Sequence, residues 1–149
     1  YSDGTYFKWN GGYAVFQIDP MSRTPVYEQI IQQVERFILT GLLLPGGQIP
    51  SVRSVSMTNS INPRTILKAY TDLDSRGLIQ SVPGKGYFVC ADAQEQLLQK
   101  GRAKMKDLTQ LVTELLMAGI TPGEIESCVQ QVFSSAAHQE NPKQGGTQE

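Results

Sequence analysis

Histidine occurs once in the 149 residues and cysteine twice, and that scarcity excludes a good deal. His138 stands in a polar tail, and Cys90 and Cys128 lie far apart and fit no metal-ligand spacing, so no metal or other cofactor is expected. Two scattered thiols are too few for a disulfide scaffold and suit a reducing cytoplasm. Long apolar runs are also missing. Ile38–Leu44 is broken by Thr40 and Gly41 and stopped at Pro45, far short of the roughly 20 residues that a membrane span requires. No basic stretch followed by an apolar one marks a secretory signal. No Ser/His/Asp arrangement stands out, and Gly84-Lys85-Gly86 is too short for a phosphate-binding loop. Glu124 and Glu126 look like cap and surface residues rather than a catalytic pair, so no enzyme is expected. The length admits one core of ordinary size, or one small domain with an appendage.

Neither sign of charge dominates: 13 basic residues against 14 acidic ones give −1. The charges are unevenly placed. Residues 45–89 carry Arg53, Arg64, Lys68, Arg76 and Lys85 against Asp72 and Asp74, whereas residues 91–149 carry more acids than bases. A basic middle leaves nucleic-acid binding open there, whatever the overall pI near 5.9.

Along the chain, residues 1–15 are an uncertain N-terminal extension or processing remnant. Tyr6–Trp9 and Tyr13–Ile18 flank Asn10-Gly11-Gly12, which is a hairpin signal. Thr24 as cap and Pro25 at the first helical position open a helix carrying Tyr27, Ile30, Ile31, Val34 and Ile38 at helical spacing, ending at Gly41. A connector rich in Pro and Gly, Leu42–Pro50, follows. Ser51 caps a short helix from Val52 to about Thr58, and Asn62-Pro63 starts a third helix that runs to Gly77. Two short helices joined by a tight turn form a helix-turn-helix pattern. The period then changes from 3.6 to 2. Leu78–Val82 and Tyr87–Cys90 are predicted strands joined by Pro83-Gly84-Lys85-Gly86. The fold class expected is mainly α with a small β wing: a winged helix-turn-helix over residues 16–90, then a two-helix dimerisation appendage over 91–138, then a disordered tail over 139–149.

The third helix is the informative one. Ile66, Ala69, Tyr70 and Leu73 fall on one face, while Arg64, Lys68 and Thr71 project from the other with Thr65 beside them. A helix buried on one side, with a cationic, hydrogen-bonding outer side, fits the DNA major groove. A solvated charged face is the plainer reading of the same residues; the short helix before it and the wing after it favour DNA. Ser51 and Arg53, in the first turn of the second helix, and Asn62, at the start of the third, are candidate contacts with it. Lys85, between Gly84 and Gly86, places a cation at the tip of the wing.

The ordered blocks Pro25-Val26-Tyr27-Glu28-Gln29-Ile30, Leu44-Pro45-Gly46, Ile49-Pro50-Ser51-Val52-Arg53, Ile61–Tyr70, Gly77-Leu78-Ile79 and Gly84–Val89 together resemble the GntR family of bacterial transcription regulators. The Asn-Pro-x-Thr-x-x-Lys-Ala-Tyr form with a short two-helix tail is most similar to its YtrA subfamily. Ser54-Val55-Ser56 departs from the usual acidic-Leu-Ala run. The resemblance implies a homodimeric repressor on an inverted-repeat double-stranded DNA operator, often near genes for an ABC transporter. It also implies DNA contacts at Arg53, Asn62, Arg64, Thr65 and Gly84.

From Asp92 to Ala118 a long helix is predicted. Leu97, Met105, Leu108, Leu111, Val112, Leu115 and Leu116 fall within about 140° of one another at 100° per residue. Thr121-Pro122-Gly123-Glu124 is a capping box that opens a second amphipathic helix bearing Ile125, Cys128, Val129, Val132 and Phe133. All of these apolar residues except Cys128 form the expected dimer interface. Two helices are too little to enclose a ligand pocket within one subunit, which leaves a small-molecule effector between subunits open. The rival from another class is a winged helix that binds protein; weak salt dependence of partner binding would mark it out.

Overall fold

The computed structural model describes residues 16–140, so the hairpin signal before Phe16 and the tail beyond Glu140 lie outside the described residues. Seven elements follow in order: α1 (Val26–Leu39), α2 (Val52–Asn59), α3 (Pro63–Ser75), β1 (Ile79–Val82), β2 (Gly86–Val89), α4 (Ala93–Met117) and α5 (Pro122–Glu140). The chain divides into two compact units after Arg102, within α4.

In the first unit, α3 packs against α1, α2 and β1. Its apolar face, Ile66, Ala69, Tyr70 and Leu73, is fully buried against Ile30, Val34 and Ile38 of α1 and Val55 of α2. Val55 occupies the core position in the Ser54-Val55-Ser56 departure, so the packing of α2 is kept. The helix-turn-helix turn is shorter than expected because α2 continues through Asn59. Ser60 closes it in the left-handed conformation, φ 53°.

The start of α1 differs from the sequence expectation. Pro25 itself is the cap, without a side-chain bond, and the helix begins at Val26. Thr24 instead gives its carbonyl to Gln29 Nε2 at 2.8 Å. The reason is a strap ahead of the helix. Gln33 and Gln29, one turn apart on α1, each clasp both backbone groups of a strap residue, Gln17 and Asp19 respectively. Two side-chain amides thus bond the backbone of the strap as a neighbouring strand would. Gln29 is buried because every polar atom of its amide is used.

β1 and β2 pair antiparallel from Ile79↔Val89 to Val82↔Gly86. On the other edge of β2 the connector forms a third rung. Gly46 N–H donates to Val89 O, Val89 N–H to Gly47 O, and Ile49 N–H to Tyr87 O, all at 2.8–2.9 Å. Ala93 and Leu97 of α4 pack into this core. Leu97, expected in the dimer stripe, is therefore a core residue of the winged unit, 7% exposed.

In the second unit, α4 ends at Met117 and Thr121 opens α5 by the expected capping box. Thr121 N–H donates to Glu124 Oε2 at 2.9 Å, and Glu124 N–H donates back to Thr121 Oγ1 at 3.2 Å. The helical backbone continues through Glu140, past the expected start of a disordered tail. The two helices are not packed along their lengths.

Candidate nucleic-acid interface

The recognition surface begins with how α3 starts. Asn62 Oδ1 accepts from Arg64 N–H at 2.9 Å, and Thr65 N–H donates to Asn62 O at 3.0 Å. Pro63 supplies the fixed φ that the first turn needs and has no N–H to satisfy. The cap uses Asn62 Oδ1, and the amide NH2 has no hydrogen-bond partner among the described residues. Arg64, Lys68 and Thr71 are exposed on the face opposite Tyr70, and Thr65 is half-buried at its edge. Ser51 does the same for α2: its Oγ accepts from Ser54 N–H at 3.1 Å, which holds Arg53 exposed in the first turn.

Lys68 is not a free cation. Its Nζ sits over the Tyr27 ring, 3.8 Å from the centroid, so it spans from α3 to the first turn of α1. Tyr27 in turn donates its hydroxyl to Glu28 Oε1, and that carboxylate raises the phenol's pKa. Arg76 is withdrawn from the cationic set altogether. Its guanidinium pairs with Glu35 at 3.2 Å and Asp72 at 2.6 Å. Arg53, Arg64, Lys68 and Lys85 form no ion pair among the described residues.

At the wing, Lys85 N–H donates to Val82 O at 3.0 Å, closing a turn with Pro83 second and Gly84 third. Gly84 has φ +74°, the value that a type II turn demands at its third position. A Cβ there would meet nothing within 4 Å, so the tip is open to solvent on that side.

Two residues that organise this surface were not singled out in the sequence for that role. Tyr70 packs edge-on to Tyr87 of β2, with centroids 5.1 Å apart, and donates its hydroxyl to the backbone just before α2. Burial pushes its phenol pKa well above the ordinary value. Gln48, exposed on the connector, reaches the wing tip. No sequence pattern marks a Gln as a long-range strut. Cys90 is half-buried, with its thiol pKa raised chiefly by burial, and Cys128 is exposed on α5. No cluster of His, Cys, Asp or Glu able to hold a metal occurs among the described residues, and none of their helices is long and apolar enough to cross a membrane.

Comparison with known proteins agrees with this geometry. Residues 26–89, from α1 to the end of the wing, match the family described as bacterial regulatory proteins, gntR family. The HTH-type transcriptional repressor YtrA of Bacillus subtilis is 34% identical over 119 residues, which span 79% of this chain and 92% of that protein. Among solved structures, a GntR family transcriptional regulator from Listeria monocytogenes superposes with a TM-score of 0.61 at 28% identity, covering 76% of this chain and 98% of that one. A transcriptional regulator from Oenococcus oeni gives 0.60 at 28% identity, covering 78% and 97%. A winged helix-turn-helix with an exposed cationic recognition helix, matched over nearly the whole length of a characterised repressor, makes this chain a member of the GntR family of DNA-binding transcription regulators.

Proposed function

We propose that the protein is a homodimeric repressor acting in the cytoplasm on an inverted-repeat operator. In this reading α3 enters the major groove, with Arg64 reading a base edge and Asn62 and Thr65 bonding at the helix start. Ser51, Arg53 and Lys68 hold the backbone beside it, and Gly84 and Lys85 bring the wing against the adjacent strand or minor groove. The observation that carries this is the set of four exposed cations on α2, α3 and the wing tip, none of them in an ion pair among the described residues. Grouped on the helix-turn-helix and the wing, these charges remain available to DNA phosphates.

Dimerisation is assigned to the second unit. Met105 is 61% exposed, Leu111 52% and Phe133 60%, and Leu108, Leu116, Val129 and Val132 are exposed with them. Val112, Leu115 and Ile125 are half-buried. Two amphipathic helices that do not cover one another along their lengths present an apolar surface suited to a second copy. Two-fold symmetry then sets two recognition helices on half-sites one or more helical turns apart. Likeness to the YtrA repressor supports repression; the operon of an ABC transporter as the target class is only what the family resemblance suggests. Selecting bound fragments from random DNA tests the reading: a palindrome supports it, and fragments without two-fold symmetry or shared sequence overturn it.

A further inference from the structure

We infer that Gln48 is a positioning residue for DNA binding: it fixes the wing tip that carries Lys85, although it lies 37 positions away in the connector before α2. This rests on the proposed role of the wing in holding DNA. Gln48 Nε2 donates to the Lys85 carbonyl at 2.9 Å. The backbone of Gln48 is itself anchored, bridged to Phe88 of β2 and flanked by the bonds of Gly47 and Ile49 to that strand. A rigid base therefore supports a side chain that extends along the wing to its tip.

Gly86 makes room for this strut. It has φ +118°, and a Cβ built on it would lie 3.0 Å from Gln48 Nε2. Any other residue there would both strain the backbone and push the amide away from the Lys85 carbonyl. The tip is thus tied on both sides, by the Lys85 N–H within the turn and by the Lys85 C=O across to the connector. A two-stranded ribbon ending in Pro-Gly-Lys-Gly has little of its own to hold its tip still, and a tip ordered in advance does not have to be ordered when DNA binds.

The test compares wild type, Gln48→Met, Lys85→Ala and the double variant on operator DNA selected as above, across several salt concentrations. Methionine keeps the length of glutamine and removes the donor. Gln48→Met is expected to weaken operator binding about three- to tenfold, the cost of ordering the loosened tip when DNA binds, with only a small fall in thermal midpoint because the lost bond is solvent-exposed. In the double variant it should add little to the loss from Lys85→Ala, because the strut acts through the tip. Amide exchange at Lys85 to Tyr87 in free Gln48→Met should quicken while α3 stays as protected as in wild type. Equal binding by Gln48→Met and wild type, or additive losses in the double variant, would overturn the inference. A wild type that shows no salt-dependent binding to any DNA would sink the functional reading instead.

Discussion

The Tyr70 hydroxyl donates to the Pro50 carbonyl at 2.7 Å in the core of the winged unit. Pro50 immediately precedes the Ser51 cap of α2, Tyr70 belongs to α3, and its ring meets Tyr87 on the wing. One side chain therefore sets the mutual placement of the three elements that carry Arg53, Arg64 and Lys85. Tyr70→Phe removes the donor and leaves a buried carbonyl unpaired, which should cost about 1–3 kcal/mol. Chemical denaturation of both proteins checks this; equal midpoints would show that the bond adds nothing.

The boundary of the winged domain is the second point at issue. Ending the chain after Cys90, where the wing ends, would strip Ala93 and Leu97 from the core. Ending it after Arg102 keeps them. The longer fragment is expected to fold as a monomer with weak DNA affinity, and the shorter to be less stable by roughly 2–5 kcal/mol for Leu97 alone. Sedimentation and thermal melts of the two fragments decide it, and a tight dimer of the longer fragment would move the dimer interface off Met105–Phe133.

The cations should separate by role. Arg64→Ala is expected to cost about 1–3 kcal/mol on operator and far less on scrambled DNA, because a guanine edge differs from pair to pair. Lys85→Ala should weaken binding to both alike and reduce the salt slope by about one, because a phosphate charge is the same everywhere. Lys68→Ala should do the same and also lose about 0.5–1 kcal/mol of folding stability, because its ammonium rests on Tyr27. Equal losses on both DNAs for Arg64→Ala would reassign that residue to the backbone.

Acid should loosen the start of α5. Glu124 accepts from the N–H and the hydroxyl of Thr121, and these bonds hold its carboxyl below the ordinary 4.5. Because the folded value is the lower one, the cap contributes fully above that pH and fades as pH falls through the folded value. An NMR titration of Glu124 should give a midpoint below 4.5 in the intact protein, and Glu124→Gln should abolish the acid dependence of α5 amide protection. A midpoint at or above 4.5 would mean that the box is open in solution.

Local chemistry determined much of this protein in advance. The Ser51 and Asn62 caps, Pro63 in the first turn, the Pro-Gly turn and the Thr121–Glu124 box are each decided within four residues. They could be read because a cap or turn satisfies backbone groups that lie beside it in the chain. The split of α3 into a buried and a cationic face followed from the 3.6 period alone. Only the tertiary structure decided what depends on partners distant in sequence. It gave Leu97 to the core rather than the stripe, paired Arg76 with Glu35 and Asp72, and seated Lys68 on Tyr27. It also clasped the strap with Gln29 and Gln33 and brought Gln48 to Lys85. Polar side chains such as these carry no periodic signature, because what they bond to is set by which backbone groups the packed core happens to leave within reach.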